Sequence, residues 1–348
     1  MIDRIKDVGH LNLKTGRVDM THGAGGLASM QLIEAVFAKH FTNEWLDVGH
    51  DGALLPPIIK PVAVSCDAHV VSPLFFPGGD IGRLAVAGTV NDVAMCGARP
   101  LYITASFILE EGFPLVDLER IVQSMAATAK EAGVAIVTGD TKVVEKGLAD
   151  GVYVVTSGIG EALVAHSING RQAKPGDVVL VSGTMGDHGM AILSCRENMT
   201  FETTIESDAA PLNSMVEAVL SAAPDTHVLR DPTRGGLAAT LNEIAHQSGV
   251  GIVLDEMTIP VKPEVAAACE FLGLDPLFVA NEGKMIVICP KEQAKAALAA
   301  MKAHPLGKEA AMIGEVFDGM RGVVEMTTLM GGRRMVDWLN SEQLPRIC

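Results

Sequence analysis

Several large classes of protein are excluded by what the sequence lacks. Its 348 residues contain no uninterrupted apolar run of about 18 residues, so no transmembrane helix is expected. The opening stretch MIDRIKDVGH carries charges where a signal peptide needs an apolar segment. No basic cluster offsets the formal net charge of −15, which disfavours binding to a nucleic-acid backbone. We therefore predict a cytoplasmic protein that binds neither membranes nor nucleic acids.

Paired cysteines are also absent. None of the six cysteines forms a CxxC pair, which argues against a zinc site and against a disulfide framework. They are Cys66, Cys96, Cys195, Cys269, Cys289 and Cys348. Cys348 is not a prenylation signal, since that signal places the cysteine four residues from the end. A thiol that ends the polar stretch SEQLPRIC does not fill a core, so we expect a chemical role for it.

Aromatic residues are scarce, at 4%, whereas hydrophobic residues make up 48% and glycine is frequent. The length and composition suit two domains, each with its own core. Apolar runs alternate with helical periodicity, which predicts an α/β (α+β) fold. A change in composition at residues 171–183, with a turn at Pro175-Gly176, predicts the start of the second domain. The predicted domains span residues 1–168 and 169–332, followed by a flexible tail at 333–348.

Individual elements are predicted from periodicity and from glycine stop signals. The predicted strands span 62–67, 101–109, 134–140, 151–162 and 283–290. The predicted helices span 80–97, 115–133, 234–249 and 291–304. Gly97, Gly133 and Gly249 are expected to end three of these helices.

Asp92 is unusual because it lies on an apolar helix. Leu84, Ala85 and Gly88 share one face of the predicted helix at the 3.6-residue period, and Asp92 falls within that stripe. Burial of an unpaired carboxylate costs several kcal/mol or forces the group to take up a proton. Asp92 therefore needs a cation or several hydrogen-bond donors. The alternative is a structural bond to backbone amides or to an arginine.

Four further aspartates occupy strand ends and glycine-rich turns, where α/β proteins place ligands. They are Asp51 in GHDGA, Asp67 in SCDAH, Asp140 in TGDT and Asp231 in DPTRGGL. Mg²⁺ prefers oxygen ligands and is commonly shared between carboxylates and substrate phosphates. Each aspartate alone is as readily a turn or cap residue. Together they favour a nucleotide–magnesium site.

The glycine-rich stretch THGAGGLASM offers backbone N–H groups that can cradle a phosphate. It is neither a P-loop nor a convincing dinucleotide fingerprint, and a flexible loop is the alternative. Gly235 and Gly236 open a helix and can form a second anion site. Lys142 in TGDTKVV can neutralise a phosphate, and Glu282 in ANEGKM can act as a general base. The alternative is that both are ordinary surface residues without a chemical role.

Over essentially its whole length the chain resembles the HypE family of hydrogenase maturation factors. The resemblance rests on HGAGG, DVGHDGA, CDAHVVSPLFFPGGDIGRLAVAGTVNDVAMCGARP, TGDTKVV, DPTRGGL, NEG and the terminal PRIC, in that order. The interior motifs are shared with aminoimidazole ribonucleotide synthetase, selenophosphate synthetase and thiamine monophosphate kinase, whereas PRIC is specific to HypE.

Two alternatives stand beside this resemblance. One is another ATP-using member of the superfamily, such as selenophosphate synthetase. That enzyme relies on a reactive cysteine or selenocysteine near its N-terminus, whereas the first cysteine here, Cys66, lies in a predicted strand. The other is a nucleotide-gated protein whose tail only docks on a partner.

The resemblance implies a two-domain fold like that of aminoimidazole ribonucleotide synthetase. The N-terminal domains would pair into a homodimer through an intersubunit β-barrel, with ATP and Mg²⁺ in the nearby cleft. HypF would place a carbamoyl group on the thiol of Cys348, and ATP-dependent dehydration would convert that group to a thiocyanate. The HypC–HypD complex would accept the cyanide for the iron of [NiFe]-hydrogenase. Residues 339–348, if extended, would reach about 30 Å at about 3.3 Å per residue.

The resemblance also implies roles for individual residues. Cys348 would carry the substrate, Glu282 would take a proton from the carbamoyl nitrogen, and Lys142 would orient the group or stabilise charge. The expected magnesium ligands are Asp51, Asp67, Asp92 and Asp231. The expected nucleotide contacts further include His22, Gly25, Gly26, Asn91, Asp140 and Thr141. For His22, a loop histidine without a chemical role is the alternative.

Overall fold

Two β-sheets organise the chain. The structure is a computed structural model that describes residues 11–197, 205–319 and 321–338. The strands of the first half are β1 (Val62–His69), β2 (Phe75–Phe76), β3 (Gly79–Asp80), β4 (Ala98–Glu110), β5 (Ala135–Val144) and β6 (Val152–Ala162). Its helices are α1 (Leu27–Leu32), α2 (Lys39–Phe41), α3 (Ile81–Met95) and α4 (Leu115–Ala132), with π-helical residues Ile33–Ala38 between α1 and α2.

The second half has the strands β7 (Asp177–Val181), β8 (Val228–Arg230), β9 (Gly251–Asp255), β10 (Ile286–Pro290), β11 (Ala311–Phe317), β12 (Val323–Thr327) and β13 (Arg333–Met335). Its helices are α5 (Asp187–Arg196), α6 (Asn213–Ala222), α7 (Gly236–Ser248), α8 (Pro263–Leu272) and α9 (Lys291–Ala303). Within the described ranges, no helix is long and apolar enough to cross a membrane.

The first sheet has the strand order β1-β6-β4-β5, in which only the β4–β5 pair is parallel. Its core contains Leu84 of α3, Phe107 of β4 and Leu118 of α4. The second sheet has the order β13-β12-β9-β11-β7-β10-β8, in which β9 and β12 are parallel neighbours. On β7, Val179 and Val181 belong to the core that contains α7, whereas the residue between them belongs to a second core. Successive residues of this short strand therefore face different cores.

The strands and helices predicted from the sequence all occur. The three predicted helix stops also hold, since Gly97, Gly133 and Gly249 adopt left-handed conformations with φ of 70°, 72° and 66°. The predicted flexible tail is wrong at its start. Residues Arg333–Met335 form β13 against β12, and Val336 is buried, so the chain remains part of the second domain there. The division near residue 168 stays a prediction.

Glycines lie where helix α3 packs against the first sheet. A side chain at Gly158 of β6 would come within 2.8 Å of Thr89 and of Val93 on α3. On the helix itself, a side chain at Gly88 would meet the ring of His69 at 3.2 Å and Asp67 at 3.6 Å. Small residues at these crossings bring the carboxylates of α3 and β1 near each other.

Candidate functional site

Three of the predicted acidic residues approach one another beside α3. Asp67 lies on β1, Asp92 lies near the C-terminal end of α3, and Asp231 follows β8; α3 contacts both strands. All three are partly buried. The hydroxyl of Ser65 donates a 2.6 Å hydrogen bond to Asp92 Oδ2. Asp92, the carboxylate on the apolar helix, therefore has a hydrogen-bond donor in Ser65, which was not predicted.

These carboxylates raise one another's affinity for protons. Burial raises the pKa of Asp92, the charge of Asp67 raises it further, and the hydrogen bond from Ser65 opposes the rise. Burial, followed by the charge of Asp92, raises the pKa of Asp231 to about 7. Acidic groups that repel one another in a partly desolvated place are stabilised in their charged form by a cation.

Mg²⁺ fits this place as a shared site rather than as a closed cage. Among residues 11–197, 205–319 and 321–338, no three histidine, cysteine or acidic side chains are close enough to hold a metal ion by themselves. Mg²⁺ is usually bound by one or two carboxylates, with substrate phosphates and water completing its shell. Asp67, Asp92 and Asp231 are the residues that would hold it here. The assignment stays a prediction.

A buried histidine, not predicted from the sequence, lies beside Asp67. His69 Nε2 lies 3.6 Å from Asp67 Oδ2 and 3.1 Å from the Thr156 hydroxyl. Burial lowers the pKa of His69, although the charge of Asp67 opposes this. The contact with Thr156 fixes the orientation of the ring, which lies beside the Asp67 carboxylate. The only signal in the sequence is its position two residues after Asp67 on the same face of the strand.

Asp51 is not brought into this group. Its side chain is fully exposed in a loop, with His50 Nδ1 at 3.9 Å from its carboxylate. In this arrangement the loop that carries Asp51 points it into solvent, away from the half-buried surroundings of the other three aspartates. Its role as a magnesium ligand stays a prediction.

Asp140, Thr141 and Lys142 lie together on β5. Lys142 Nζ is 2.8 Å from Asp140 Oδ2, and the backbone N–H of Thr141 donates to Asp140 Oδ1 at 2.8 Å. The hydrogen bond from Lys142 is the main reason why the pKa of Asp140 is lowered, and burial opposes it. Both side chains of the ion pair are more than half exposed, so a polyphosphate or a carbamoyl group has access to them.

The glycine loop rests on the same strand. A side chain at Gly23 would meet Val143 at 2.9 Å, whereas one at Gly25 or Gly26 would meet nothing within 4 Å. Gly25 has φ of 76°, a conformation that glycine adopts at little cost. The two glycines thus leave an open backbone surface beside β5, as phosphate binding requires.

His22 has a structural role in this loop. It is buried, and its Nδ1 accepts the backbone N–H of Asp19 at 2.9 Å as part of a reciprocal cap. The capping function accounts for the histidine without a ligand, which favours the alternative given above. A phosphate contact from His22 stays a prediction.

Asn91 is buried and bonded to backbone groups, and its contact with a nucleotide stays a prediction. Its side chain is 1% exposed. Its Nδ2 donates to the carbonyls of Ala210 and Glu282, at 3.1 and 3.2 Å, and its Oδ1 accepts the N–H of Leu212 at 2.8 Å. The amide joins α3 to two backbone segments of the second half, so in this arrangement it presents no face to a nucleotide.

Glu282 is buried at 5% exposure, which contradicts the alternative of a surface residue. Its backbone N–H donates to Asp208 Oδ1 at 3.1 Å. Lys142, by contrast, is 68% exposed at its side chain and lies on the other sheet. The two predicted catalytic residues therefore differ strongly in environment.

A buried charge network behind Glu282 was missed by the sequence interpretation. Lys284 Nζ lies 3.3 Å from Asp208 Oδ2 and 4.0 Å from Asp187 Oδ2, and Lys262 Nζ lies 2.9 Å from the same Asp187 atom. Burial would raise the pKa of Asp208, but the charges of Lys284 and His188 hold it below its usual value. Its one sequence signal is a lysine directly before the apolar strand MIVICP.

Comparison with known proteins decides the family. The models for the N-terminal and C-terminal domains of AIR synthase related proteins match residues 49–162 and 174–327. The carbamoyl dehydratase HypE of Cupriavidus necator is 62% identical over 339 residues, which cover 97% of this chain and 97% of that protein. The chain belongs to the HypE family.

Solved HypE structures agree with this fold. A hydrogenase maturation protein HypE crystallised in complex with ATP superposes with a TM-score of 0.92 at 52% identity, covering 94% of this chain and 99% of that one. A chain from a HypE–HypF complex superposes with a TM-score of 0.79 at 52% identity, covering 88% and 99%. The predicted two-domain fold of the aminoimidazole ribonucleotide synthetase type is confirmed.

Proposed function

We propose that the chain is an ATP-dependent carbamoyl dehydratase that acts in hydrogenase maturation. It converts an S-carbamoyl group on its own Cys348 to a thiocyanate, which supplies the cyanide ligand for the iron of [NiFe]-hydrogenase. The observation that carries the proposal is the 62% identity, over 97% of the chain, to a protein named carbamoyl dehydratase HypE. The ATP complex of a related HypE supports ATP as the co-substrate, and so do the acidic cluster beside β1 and the open glycine loop beside β5. Cys348 lies outside the described residues.

The chemistry needs ATP because an amide oxygen is a poor leaving group. The carbamoyl oxygen attacks the γ-phosphorus and ADP departs, while the nitrogen loses one proton. The carbon–oxygen bond of the O-phosphorylated group then breaks, phosphate leaves with the bonding electrons, and the nitrogen loses its second proton as the C≡N bond forms. The balance is one carbamoyl group and one ATP converted to one thiocyanate, ADP and phosphate.

We assign each step of this reaction to residues whose burial and charge suit it. Asp67, Asp92 and Asp231 would hold Mg²⁺, which when bound neutralises phosphate charge. Glu282, buried and beside the second sheet, would take a proton from the carbamoyl nitrogen. Lys142, exposed and paired with Asp140, would orient the carbamoyl group or stabilise the charge that develops on its oxygen.

Other nucleotide contacts are proposed around these residues. Gly25 and Gly26 would offer backbone N–H groups to the phosphates, in keeping with the open space beside them. Asp140 and Thr141 would contact the nucleotide from β5, and Asp51 would reach the metal by a movement of its exposed loop.

Partners follow from the same chemistry. The complex of a related HypE with HypF supports HypF as the enzyme that carbamoylates Cys348. HypC–HypD is proposed as the acceptor of the cyanide, and the cytoplasm as the compartment. A homodimer through the outer face of the first sheet would cover Val62 and Val64 of β1, which are 49% and 67% exposed.

Intact mass analysis of the C-terminal peptide tests the function. After incubation with HypF, carbamoyl phosphate and ATP, the peptide should first gain a carbamoyl group and then lose the mass of one water. Without ATP the carbamoyl group should persist. A peptide that stays carbamoylated while ATP is hydrolysed would support the docking-protein alternative instead.

Cys348→Ala provides the matched control. This variant should fold and bind ATP as the parent does, but it should accept no carbamoyl group and deliver no cyanide. Hydrogenase maturation by Cys348→Ala in cells would rule out the carrier role. An additional residue after Cys348 would show whether the terminal carboxylate is also recognised.

A further inference from the structure

The backbone of Glu282 is held on both sides by buried side chains from distant parts of the chain. Its N–H donates to Asp208 Oδ1 at 3.1 Å, and its carbonyl accepts from Asn91 Nδ2 at 3.2 Å. Asp208 is 74 residues away along the sequence and Asn91 is 191 residues away. A residue whose two flanking peptide groups each make a tertiary hydrogen bond has little freedom to shift, so its side chain starts from a fixed Cα position.

The backbone around Asp208 also encloses the next residue. A side chain at Gly283 would come within 1.8 Å of the Asp208 carbonyl oxygen, so the two segments are in direct contact there. The contact leaves no room for the turn at Glu282 and Gly283 to move toward the segment of Asp208. The position of Glu282 is therefore determined by where Asp208 lies.

Asp208 is in turn held by charge. Its side chain is 3% exposed, and Lys284 Nζ, at 3.3 Å from Oδ2, supplies the opposite charge. Lys284 is 11% exposed at its side chain and is also near Asp187, which Lys262 contacts at 2.9 Å. A buried charge that loses its partner destabilises its surroundings strongly, so this pair keeps the Asp208 carboxylate in one place.

We propose that Asp208 and Lys284 are positioning residues for Glu282. Asp208 fixes the peptide that carries the base, and Lys284 keeps Asp208 charged and oriented toward that peptide. The inference rests on the proposed function, because it takes Glu282 as the group that accepts a proton from the carbamoyl nitrogen. Misplacement of a catalytic group by about 1 Å can lower a rate about a hundredfold, so such support has a measurable effect.

Asp208→Asn is the first variant to measure. Asparagine retains an oxygen that can accept the N–H of Glu282 but removes the charge that pairs with Lys284. Single-turnover dehydration of the carbamoylated tail should slow about tenfold to a hundredfold, whereas ATP affinity measured by calorimetry should not change. Lys284→Met should slow the same step. The double variant should recover part of the thermal stability, because no unpaired buried charge remains.

Asp177→Asn is the matched control. Asp177 is also buried, at 3% exposure, and it also accepts a backbone N–H, from Lys174 at 2.8 Å, while its other partner is His227 at 2.8 Å. It therefore reproduces the loss of a buried, paired carboxylate elsewhere in the second domain. Its dehydration rate should equal that of the parent protein at a temperature where both are folded.

The Glu282→Gln background separates positioning from general damage. If Asp208 acts through Glu282, Asp208→Asn should slow the parent protein but add little to the slow rate of Glu282→Gln, because effects on one functional unit are not additive. An equal slowing in both backgrounds would overturn the inference, as would a parent-like rate for Asp208→Asn. A parent-like rate for Glu282→Gln would instead remove Glu282 from the proposed mechanism.

Discussion

Ser65 and Asp92 are joined by a 2.6 Å hydrogen bond that links the edge strand β1 to the end of helix α3. The hydroxyl donates to a carboxylate that burial and the charge of Asp67 both make harder to ionise. The bond therefore favours the charged form of Asp92, which is the form that contacts a cation. The serine supports the acidic group without being a ligand itself.

The first prediction concerns this acidic group. Asp92→Ala and Asp67→Ala should each weaken binding of ATP with Mg²⁺ about tenfold or more, because each removes a carboxylate proposed to hold the metal. Ser65→Ala should have a smaller effect in the same direction. Calorimetric titration gives the affinities, and Asp318→Ala, in an exposed turn, is the control. Unchanged affinity in both aspartate variants would show that the metal site lies elsewhere.

The second prediction concerns Asp231 and pH. Its pKa in the folded chain is about 7, above the ordinary value of 3.8, so the folded state binds this proton more tightly than the unfolded state does. Its contribution to the free energy of unfolding is therefore full below the unfolded pKa and is lost as pH rises toward 7. Asp231→Asn should remove this loss of stability at higher pH.

Urea unfolding without ATP or Mg²⁺ measures this effect. At about pH 8 Asp231→Asn should be more stable than the parent protein, and at about pH 5 the difference should be smaller. A difference in stability that did not change with pH would contradict the raised pKa of Asp231.

The third prediction concerns the proposed homodimer. Val62, Val64 and Cys66 are among the exposed residues that alternate along β1, and they point away from α3. Val64→Lys would bury a charge in the proposed interface, so light scattering should show a monomer. Val116→Lys, on α4 and 48% exposed, should not alter the mass. A dimer that persists in Val64→Lys would place the interface on another face.

The fourth prediction concerns the thiols. Burial raises the pKa of Cys289 to about 12 and that of Cys269 to about 11, with nearby carboxylates adding to both shifts. Cys66 is exposed. In the Val64→Lys variant at about pH 8, a thiol reagent should modify Cys66 long before Cys269 or Cys289, since the thiolate is the reactive form. Peptide mapping measures the order, and equal rates would contradict the burial of the two core thiols.

Local signals accounted for much of the fold and for part of the site. Asp92 is predicted to need a donor or a cation because it is a carboxylate on an apolar helix, and the structure supplies Ser65 as a donor. Asn91, its neighbour, was assigned to the nucleotide by resemblance, yet it bonds backbone groups of the second half. Nothing local distinguishes an amide that binds a ligand from one that binds a distant backbone.

The charge network behind Glu282 shows why the remainder was not predicted. Asp208 and Lys284 lie far apart in the sequence, and only Lys284, directly before an apolar strand, has a sequence context that is unusual for its residue type. The Lys284 side chain passes close to Gly183, where an added side chain would meet its Cε at 3.0 Å. Such pairs are set by tertiary packing rather than by periodicity or by spacing along the chain.

Helix α3 carries two neighbouring residues that make different contacts. Consecutive residues on a helix point about 100° apart, so Asp92 faces the acidic group while Asn91 reaches the peptide of Glu282. The proposed metal ligand lies on helix α3, and the proposed base is bonded to the same helix through Asn91. A rotation of one domain against the other cannot change their separation unless the bonds of Asn91 break first. The metal ligand and the base would therefore keep their relative positions while partner proteins bind and dissociate elsewhere on the surface.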